Sequence, residues 1–331
     1  MGELKKDYNE NAFPLDNEEF VDYRYRITMN KDSYNLTWQD IKDLCMCFYN
    51  EKVSDNWRKY VYYRKEKEDI ELKDCNRILA ISDIHVPFNL DISIFSEYRN
   101  KVDTLVINGD LLDCYSLSKF TKLYRQPLID ELIKAREYVI NLVNYIKPKK
   151  IIVVSGNHEI RLGKVIADKI GTDLLDLMPT DAMAFLFDTG FNQYNHQDKT
   201  KTVYNPLNKV FEEEGIETIY ANNFWYKEGR TIFVHPLAFR QNPLSTSVKA
   251  YKYFIGKGLE FDTIVMAHTH KLGFCKYSNY NLYEQGCCCE LSKMNYMDMR
   301  LPETEQSNGF MYMIQDANGN LNYEKTKLIS I

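Results

Sequence analysis

Histidine is scarce in this chain: only six of its 331 residues are histidine, and five of those six fall in short polar motifs. The eight cysteines form no Cys-x-x-Cys pair and no framework spacing, which argues against a zinc finger and a disulfide scaffold. No apolar run approaches membrane-spanning length, and no Walker or Rossmann glycine pattern occurs. The net charge of −5 lacks the basic excess of a nucleic-acid-binding protein. The histidine motifs are therefore the main indication of chemistry.

The first residues lack an apolar signal core, and the cysteines resemble free thiols of a reducing compartment. We therefore expect a cytoplasmic protein with no membrane partner. Residues Cys287, Cys288 and Cys289 are interpreted as small buried strand residues. Binding of a soft metal by this run is the alternative.

Each polar motif follows a short β-branched run that indicates a strand buried on both faces. These runs cover residues 78–82, 105–107, 151–154, 231–234 and 263–266. The motifs that follow them are Asp83-Ile84-His85, Gly109-Asp110, Gly156-Asn157-His158-Glu159, His235 and His268-Thr269-His270. Open α/β sheets place their sites at the carboxyl ends of the strands, so these motifs are predicted to meet there.

The spacing within the motifs suits metal binding. Side chains two apart on an extended segment point the same way, so Asp83 with His85, and His268 with His270, can each offer two ligand atoms to one centre. Carboxylate, imidazole and amide oxygen form a ligand set without thiolate. That set suits manganese, iron, zinc or magnesium and argues against a structural zinc site of the cysteine type.

The order of motifs, D-x-H, G-D-x-x-D, G-N-H-E, H and a G-H-x-H variant, resembles the calcineurin-like metallophosphoesterase superfamily over roughly residues 76 to 290. The resemblance implies an α/β fold, a four-layer αββα sandwich, and a centre of two divalent ions, for which we expect manganese before iron, zinc or magnesium. It implies one metal on Asp83, His85, Asp110 and His270, and a second on Asp110, Asn157, His235 and His268. Asp110 would then be the bridging carboxylate, and water the nucleophile.

The same resemblance gives His158 the role of a general acid or transition-state stabiliser beside the phosphate, with Glu159 orienting its ring. A satisfied structural histidine is the alternative. Asp113 could orient a metal-ligating residue through a hydrogen bond, or it could cap the following turn. Its position is taken by a tyrosine ligand in purple acid phosphatases, so that subfamily is disfavoured. Protein Ser/Thr phosphatases continue with Arg-Gly where this chain has Cys114-Tyr115, so phosphoprotein substrates are also disfavoured.

The organisation changes before the first motif, and we predict a helical module over residues 1–72 and a phosphoesterase domain over residues 73–331. Residues 1–36 are expected to be irregular, and two capped helices that resemble a helix-turn-helix unit follow, the first beginning after Thr37. The second helix presents Arg58, Lys59 and Lys65 as candidate nucleic-acid contacts. Protein docking or oligomerisation is the alternative. Similar modules precede the domain in phage-encoded relatives, which would place the protein in the host cytoplasm.

An insertion is predicted over residues 178–230, where a lid or substrate-reading loop could be built. Its aromatic residues could stack bases or form a satellite core beneath the loop, and His196 within it is taken as a surface residue. Runs at 277–285, 310–314 and 321–326 are expected to supply antiparallel strands of the second sheet.

These observations predict a metal-dependent phosphoesterase that cleaves phosphodiester bonds with water activated by two metals, acting on nucleic acid or nucleotides. The expected partner is a phosphoester substrate, with DNA as a candidate. A phosphomonoesterase or protein phosphatase is the rival within enzymes. A non-catalytic DNA-binding or scaffold protein on the same fold is the rival outside them. The presence of every ligand type disfavours this last interpretation. Burying polar side chains together costs free energy, and a protein without catalytic activity would have no physical need to keep them.

Overall fold

Two compact units make up the chain, residues 1–74 and 75–331. The computed structural model describes residue 4 and residues 6–15, 18–54, 56–119, 125–169, 172–293 and 305–331. The predicted domain boundary after residue 72 stays a prediction, because a division by contacts does not show that either part folds alone. Across these described residues, no helix has the length and apolar character needed to cross a membrane.

The N-terminal unit contains the helices α1 (Phe20–Met29), α2 (Trp38–Tyr49) and α3 (Trp57–Glu71). The predicted start of α2 is confirmed by a capping box. Thr37 Oγ1 accepts the backbone N–H of Asp40, and the Asp40 carboxylate accepts the backbone N–H of Thr37 at 2.7 Å. The interpretation of α2 and α3 as a helix-turn-helix unit stays a prediction.

The expectation that residues 1–36 are irregular is wrong, because this segment contains α1. Tyr23 and Ile27 lie four residues apart on α1 and are fully buried in one cluster with Ile41 and Leu44 of α2. Charged residues separate the two apolar positions of α1 along the sequence, so its buried stripe is too narrow to stand out.

The larger unit has thirteen strands and five α-helices among its described residues. The strands are β1 (Asn76–Ile81), β2 (Thr104–Asn108), β3 (Lys150–Val154), β4 (Phe191–Asn195), β5 (Thr200–Tyr204), β6 (Glu217–Ala221), β7 (Trp225–Glu228), β8 (Thr231–Val234), β9 (Thr263–Met266), β10 (Leu272–Tyr277), β11 (Tyr280–Gln285), β12 (Gly309–Gln315) and β13 (Lys327–Ser330). The helices are α4 (Leu128–Ile146), α5 (Arg161–Lys169), α6 (Ala182–Phe187), α7 (Leu207–Glu213) and α8 (Ser245–Gly256).

The strands form two sheets packed face to face. The first has the order β13-β12-β1-β2-β3-β6, and the second β10-β11-β9-β8-β7. One cluster joins their inner faces and includes Val106 and Ile152 from the first sheet with Phe233 and Val265 from the second. The outer face of the first sheet packs on α4, in a cluster that includes Val139. The outer face of the second sheet packs on α8, in a cluster that includes Phe254. The predicted four-layer αββα sandwich is therefore confirmed.

The C-terminal strands differ from the prediction. β11 does join the second sheet, but β12 and β13 belong to the first, where β12 pairs antiparallel with β1. Within residues 321–326, Leu321 makes only an isolated bridge and residues 323–325 form a turn, and the last strand comes after them. A strand pattern predicts extended backbone without specifying which open sheet edge it covers, and β1 offered such an edge.

The segment predicted as an insertion, residues 178–230, supplies part of the sandwich. β6 extends the first sheet beside β3, β7 extends the second beside β8, and β4 with β5 forms a separate hairpin. Phe187 and Phe191 are buried in the cluster beneath α4. His196 is exposed at the turn of the hairpin, as predicted. Most aromatic residues of this segment are buried in the hydrophobic clusters or half-buried against them, whereas Tyr194 is exposed.

Candidate metal centre

The polar motifs lie at the carboxyl ends of five predicted strands, all of which are confirmed. β1, β2 and β3 are parallel neighbours in the first sheet, and β8 and β9 in the second. Asp83 and His85 follow β1, Asp110 follows β2, Asn157 and His158 follow β3, His235 follows β8, and His268 and His270 follow β9. The structure therefore brings the predicted side chains together at one end of the sandwich.

Asp83, His85 and His270 form a first ligand group, and all three are buried. His270 Nε2 lies 3.1 Å from Asp83 Oδ1 and 3.2 Å from His85 Nε2. Two ligand atoms held about 2.0–2.1 Å from one ion at octahedral or tetrahedral angles are about 2.8–3.4 Å apart. These three donors thus converge at the spacing of a shared ion.

Asp110, His235 and His268 form a second group, to which Asn157 adds an amide oxygen. His235 Nε2 lies 3.2 Å from Asp110 Oδ2 and 3.1 Å from Asn157 Oδ1. Asp110 Oδ2 is also 3.9 Å from His85 Nε2 of the first group. Asp110 therefore lies between the two groups, where a bridging carboxylate would have to be.

A hydrogen bond to the backbone fixes the orientation of the His235 ring. Its Nδ1 is 2.8 Å from the backbone carbonyl of Asn108 and must donate to it, so Nε2 is the ring nitrogen that faces the second group. Gly109 makes this packing possible, because a Cβ at that position would lie 2.3 Å from His235 Nδ1. Gly109 also has a φ of +81°, a conformation that L side chains rarely adopt.

The backbone at the site is strained. Five of the seven predicted ligands have φ values in the left-handed region: Asp83 (50°), His85 (50°), Asp110 (50°), His268 (75°) and His270 (54°). Non-glycine residues rarely adopt this conformation, which costs of order 1–3 kcal/mol and clusters at functional sites. The fold thus holds these side chains in place against local backbone preference.

Neighbouring charges shift the pKa values of the ionisable groups in the site. Burial opposes ionisation of Asp83, but the neighbouring His270 and His235 outweigh it and hold the pKa of this carboxyl below its usual range. Burial likewise opposes protonation of His235, but Asp110 and Asp83 raise its pKa to about 9. Burial and the charge of His235 lower the pKa of His268 to about 4. The Asp83 and Asp110 carboxylates are thus anionic at neutral pH, and they stabilise a positive charge beside them.

The residues present fit divalent ions. Asp83 is fully buried, and the described ring nitrogen closest to its Oδ1, His270 Nε2 at 3.1 Å, does not have the geometry of a directed hydrogen bond. A buried polar atom without a partner costs more than about 2 kcal/mol, and an ionised one costs more. A cation would supply the missing interaction. The nitrogen and oxygen donors of the two groups suit manganese, iron, zinc or magnesium.

His158 lies beside the two groups and is held by two residues. Its Nδ1 donates to the backbone carbonyl of Asp113 at 2.8 Å, and the Asp113 carboxylate lies 3.3 Å from the same nitrogen. Arg161 Nη2 donates to His158 Nε2 at 2.7 Å. Asp113 Oδ1 is also 3.4 Å from His85 Nδ1, so its contacts favour the role of orienting two histidines over that of capping a turn.

Arg161 was missed by the sequence analysis. It begins α5, three residues after His158, and its Nη1 also donates to the Asp113 carbonyl at 2.9 Å. The spacing of about one helical turn was the available signal. Glu159 has a different role from the one expected, because its carboxylate accepts the backbone N–H groups of Leu112 (2.9 Å) and Gly156 (3.0 Å). It thereby braces the loops after β2 and β3 rather than the His158 ring.

The cysteine run lies next to the first group. Cys287, Cys288 and Cys289 are buried as predicted, but they lie after β11 outside any strand, where only Cys287 and Cys289 form isolated bridges. Ligand atoms of Cys287 and Cys289 lie within 4.8 Å of one another and of a His270 nitrogen. Sulfur therefore borders the nitrogen and oxygen groups.

The candidate nucleic-acid contacts lie in the N-terminal unit. Arg58, Lys59 and Lys65 are exposed on α3. The Arg58 guanidinium lies 5.1 Å above the ring of Trp38, so it is partly engaged within its own unit.

Comparison with known proteins gives two family matches. Residues 76–272 match the calcineurin-like phosphoesterase family, and residues 9–74 match the YonJ N-terminal domain. No protein of the curated set matches this chain.

Similar solved structures include the vacuolar protein sorting 29 protein of Cryptosporidium parvum (14% identity, 78% of this chain and 97% of that chain, TM-score 0.37). An archaeal phosphodiesterase (15%, 77% and 99%, 0.36) and a metallophosphoesterase of Sphaerobacter thermophilus (12%, 74% and 84%, 0.34) are also similar. The family match covers more than half of the chain, and this protein belongs to the calcineurin-like phosphoesterase family.

Proposed function

We propose that this protein is a phosphodiesterase that uses two divalent ions and water to cleave ester bonds of nucleic acid or nucleotides. Membership of the family gives the reaction class, a hydrolase acting on phosphoesters. One observation carries the finer proposal: two groups of converging ligand atoms meet at Asp110, whose Oδ2 belongs to the second group and lies 3.9 Å from His85 Nε2 of the first.

The ligands are proposed as follows. Asp83, His85, Asp110 and His270 hold one ion, and Asp110, Asn157, His235 and His268 hold the other. When bound, the two ions would supply Lewis-acid activation of water and would stabilise charge on the phosphoryl oxygens. Manganese is the proposed metal, with iron, zinc or magnesium as alternatives, because the donors are imidazole, carboxylate and amide.

His158 is the proposed proton donor to the leaving group, and Arg161 is its neighbour. His158 reaches substrate through Nε2, since Nδ1 is committed to Asp113. A protonated imidazole can donate to a leaving alkoxide, a step typically worth about 10²- to 10⁴-fold. In the structure Arg161 Nη2 donates a hydrogen bond to Nε2. When substrate binds, the planar guanidinium is suited to donate to a phosphoryl oxygen instead, which would free Nε2.

The test is hydrolysis by protein stripped with a chelator and then resupplied with Mn²⁺, Fe²⁺, Zn²⁺ or Mg²⁺. The substrates are bis-p-nitrophenyl phosphate, p-nitrophenyl phosphate, single- and double-stranded DNA, and a phosphopeptide. We expect recovery with Mn²⁺ and preference for diesters. Preference for the phosphopeptide or monoester would favour the rival enzymes, and inactivity with every ion would favour a scaffold. Full activity of the stripped protein would overturn the proposal.

A second proposal concerns the N-terminal unit, which we propose binds DNA through α3. Lys59 and Lys65 are exposed there beside the exposed rings of Tyr60 and Tyr63, a combination of cations and aromatics that suits a nucleic-acid strand. Protein docking or oligomerisation is the alternative.

Charge reversal in the full chain tests the second proposal. Lys59→Glu with Lys65→Glu should weaken DNA binding and reduce the log-log salt slope by roughly 0.9 for each DNA phosphate that the variant no longer neutralises. The control Lys276→Glu reverses an exposed charge on β10. Unchanged affinity and slope in the α3 variant would assign the unit to protein docking.

A further inference from the structure

A cavity of about 450 Å³ adjoins the second ligand group. Asn157 and His235 form part of its wall, so an ester held at the proposed metal centre would extend into it. The other walls come from the loop between β6 and β7, the loop after β8, and α8. Its volume lies within the range of roughly 300–1,000 Å³ that is typical of small-molecule sites.

The lining of this cavity suits a flat ring with polar edges. Phe224 and Tyr253 contribute aromatic rings whose centroids are 6.0 Å apart, with an angle of 56° between their planes. Leu237 adds apolar surface. Asn222 and Asn223 are exposed and also line the cavity, where their amides offer both donors and acceptors, as the edges of nucleobases do.

A second cavity, of about 750 Å³, is cationic and shares Lys249 with the first. Arg240 and Lys252 also line it, and all three cations are exposed. Lys249, Lys252 and Tyr253 lie three and four residues apart on α8 and so share one face of the helix. No Asp or Glu occurs between residues 245 and 256, so the charge of this face is uniformly positive.

We propose that the two cavities together bind a nucleotide strand: the base next to the scissile phosphate stacks on Phe224 and Tyr253, and a neighbouring phosphate binds Lys249, Lys252 and Arg240. This inference rests on the proposed phosphodiesterase function. A phosphodiester whose ester group is an apolar ring without a second phosphate would fill the first cavity but make no use of the three cations. A free phosphate would use the cations but not the rings.

The kinetic test compares three substrates with the same leaving group: methyl p-nitrophenyl phosphate and the p-nitrophenyl phosphates of thymidine at its 5′ and its 3′ position. We expect kcat/KM at least about tenfold higher for one thymidine ester than for the methyl ester, because stacking on an aromatic side chain is worth about this factor or more per base. Tyr253→Ala and Phe224→Ala should each remove most of that preference. Phe274→Ala, which removes an exposed ring from β10, is the matched control and should keep it.

The binding test uses thymidine 3′,5′-bisphosphate and isothermal titration. Tyr253→Ala and Lys249→Ala should each weaken binding about tenfold, and Lys249→Ala should also reduce its salt dependence. The matched control Lys276→Ala should change neither. Because binding is measured without turnover, it decides the inference even if no ester is hydrolysed, which would count against the proposed function instead.

Equal kcat/KM for the methyl and thymidine esters, together with unchanged bisphosphate binding in both variants, would overturn the inference. Loss of the thymidine preference in the Phe274→Ala control would do the same, because it would place the base elsewhere.

Discussion

Replacing His158 by alanine separates a proton donor from a metal ligand. The substitution removes two hydrogen bonds, from Nδ1 to the Asp113 carbonyl and from Arg161 Nη2 to Nε2, but Arg161 Nη1 still donates to that carbonyl at 2.9 Å. The backbone N–H of residue 158 still donates to Asp110 Oδ1 at 2.9 Å. The expected cost to folding is therefore about that of two hydrogen bonds, about 2 kcal/mol. Both ligand groups keep all their proposed donors, so metal content should not change.

The expected catalytic loss depends on the leaving group. For a nucleoside alkoxide, which needs a proton, kcat should fall about 10²- to 10⁴-fold, or about 2.7–5.4 kcal/mol in the barrier. For p-nitrophenolate, which leaves as a stable anion, the loss should be under about tenfold. The assay measures kcat on a dinucleotide and on an aryl ester, with metal content determined in the same samples. His196→Ala, at an exposed histidine, is the control. Equal losses on both substrates, or loss of metal, would refute the role of His158.

Three other variants test the contacts around Asp110, Gly109 and Asp40. Asp110→Asn should lower metal content to one ion per chain or fewer, because it weakens a ligand of both ions; elemental analysis showing two would contradict the bridging role. Gly109→Ala should reduce both metal content and melting temperature through the clash with His235, whereas Gly215→Ala, which has a similar φ of +75° and open space, should show only the cost of backbone strain, of order 1–3 kcal/mol. Burial raises the pKa of Asp40, but hydrogen bonds from Thr37 and the charge of Lys6 lower it to about 2. The stability that this depressed pKa contributes should be present above about pH 4 and lost as pH falls towards 2. Urea unfolding should therefore show Asp40→Asn less stable than the natural chain by about 1 kcal/mol at pH 7, and this difference should shrink between pH 4 and pH 2. A difference that stays constant with pH would contradict the role of the Asp40 carboxylate.

The strands and the site motifs could be predicted because they leave a local signal. A strand buried on both faces is a continuous β-branched run, as at residues 151–154, and a polar motif directly after it must lie at the carboxyl end. The convergence of Asp83, Asp110 and His235 from three strands follows from parallel neighbours in two facing sheets. The pairing of Asp110 with both ligand groups was implied by the resemblance and is matched by distances of 3.2 and 3.9 Å to the two histidines.

Other features depend on tertiary structure and leave little trace in the sequence. The left-handed backbone at His268 and His270 is imposed by the fold against local preference, so no propensity predicts it. The partners of Glu159 are backbone groups of two loops, which meet only after the sheet forms. β12 joins the first sheet because β1 presents an open edge there. The narrow apolar stripe of α1 is hidden by its charged neighbours.

The most direct measurement of the central claim is a titration of metal-free protein with Mn²⁺, in which bound metal and hydrolysis of bis-p-nitrophenyl phosphate are followed in the same samples. The two ligand groups around Asp110 predict binding of two ions per chain, with activity that rises as the second ion binds. Full activity at one ion per chain, or hydrolysis by the metal-free protein, would contradict the two-metal centre.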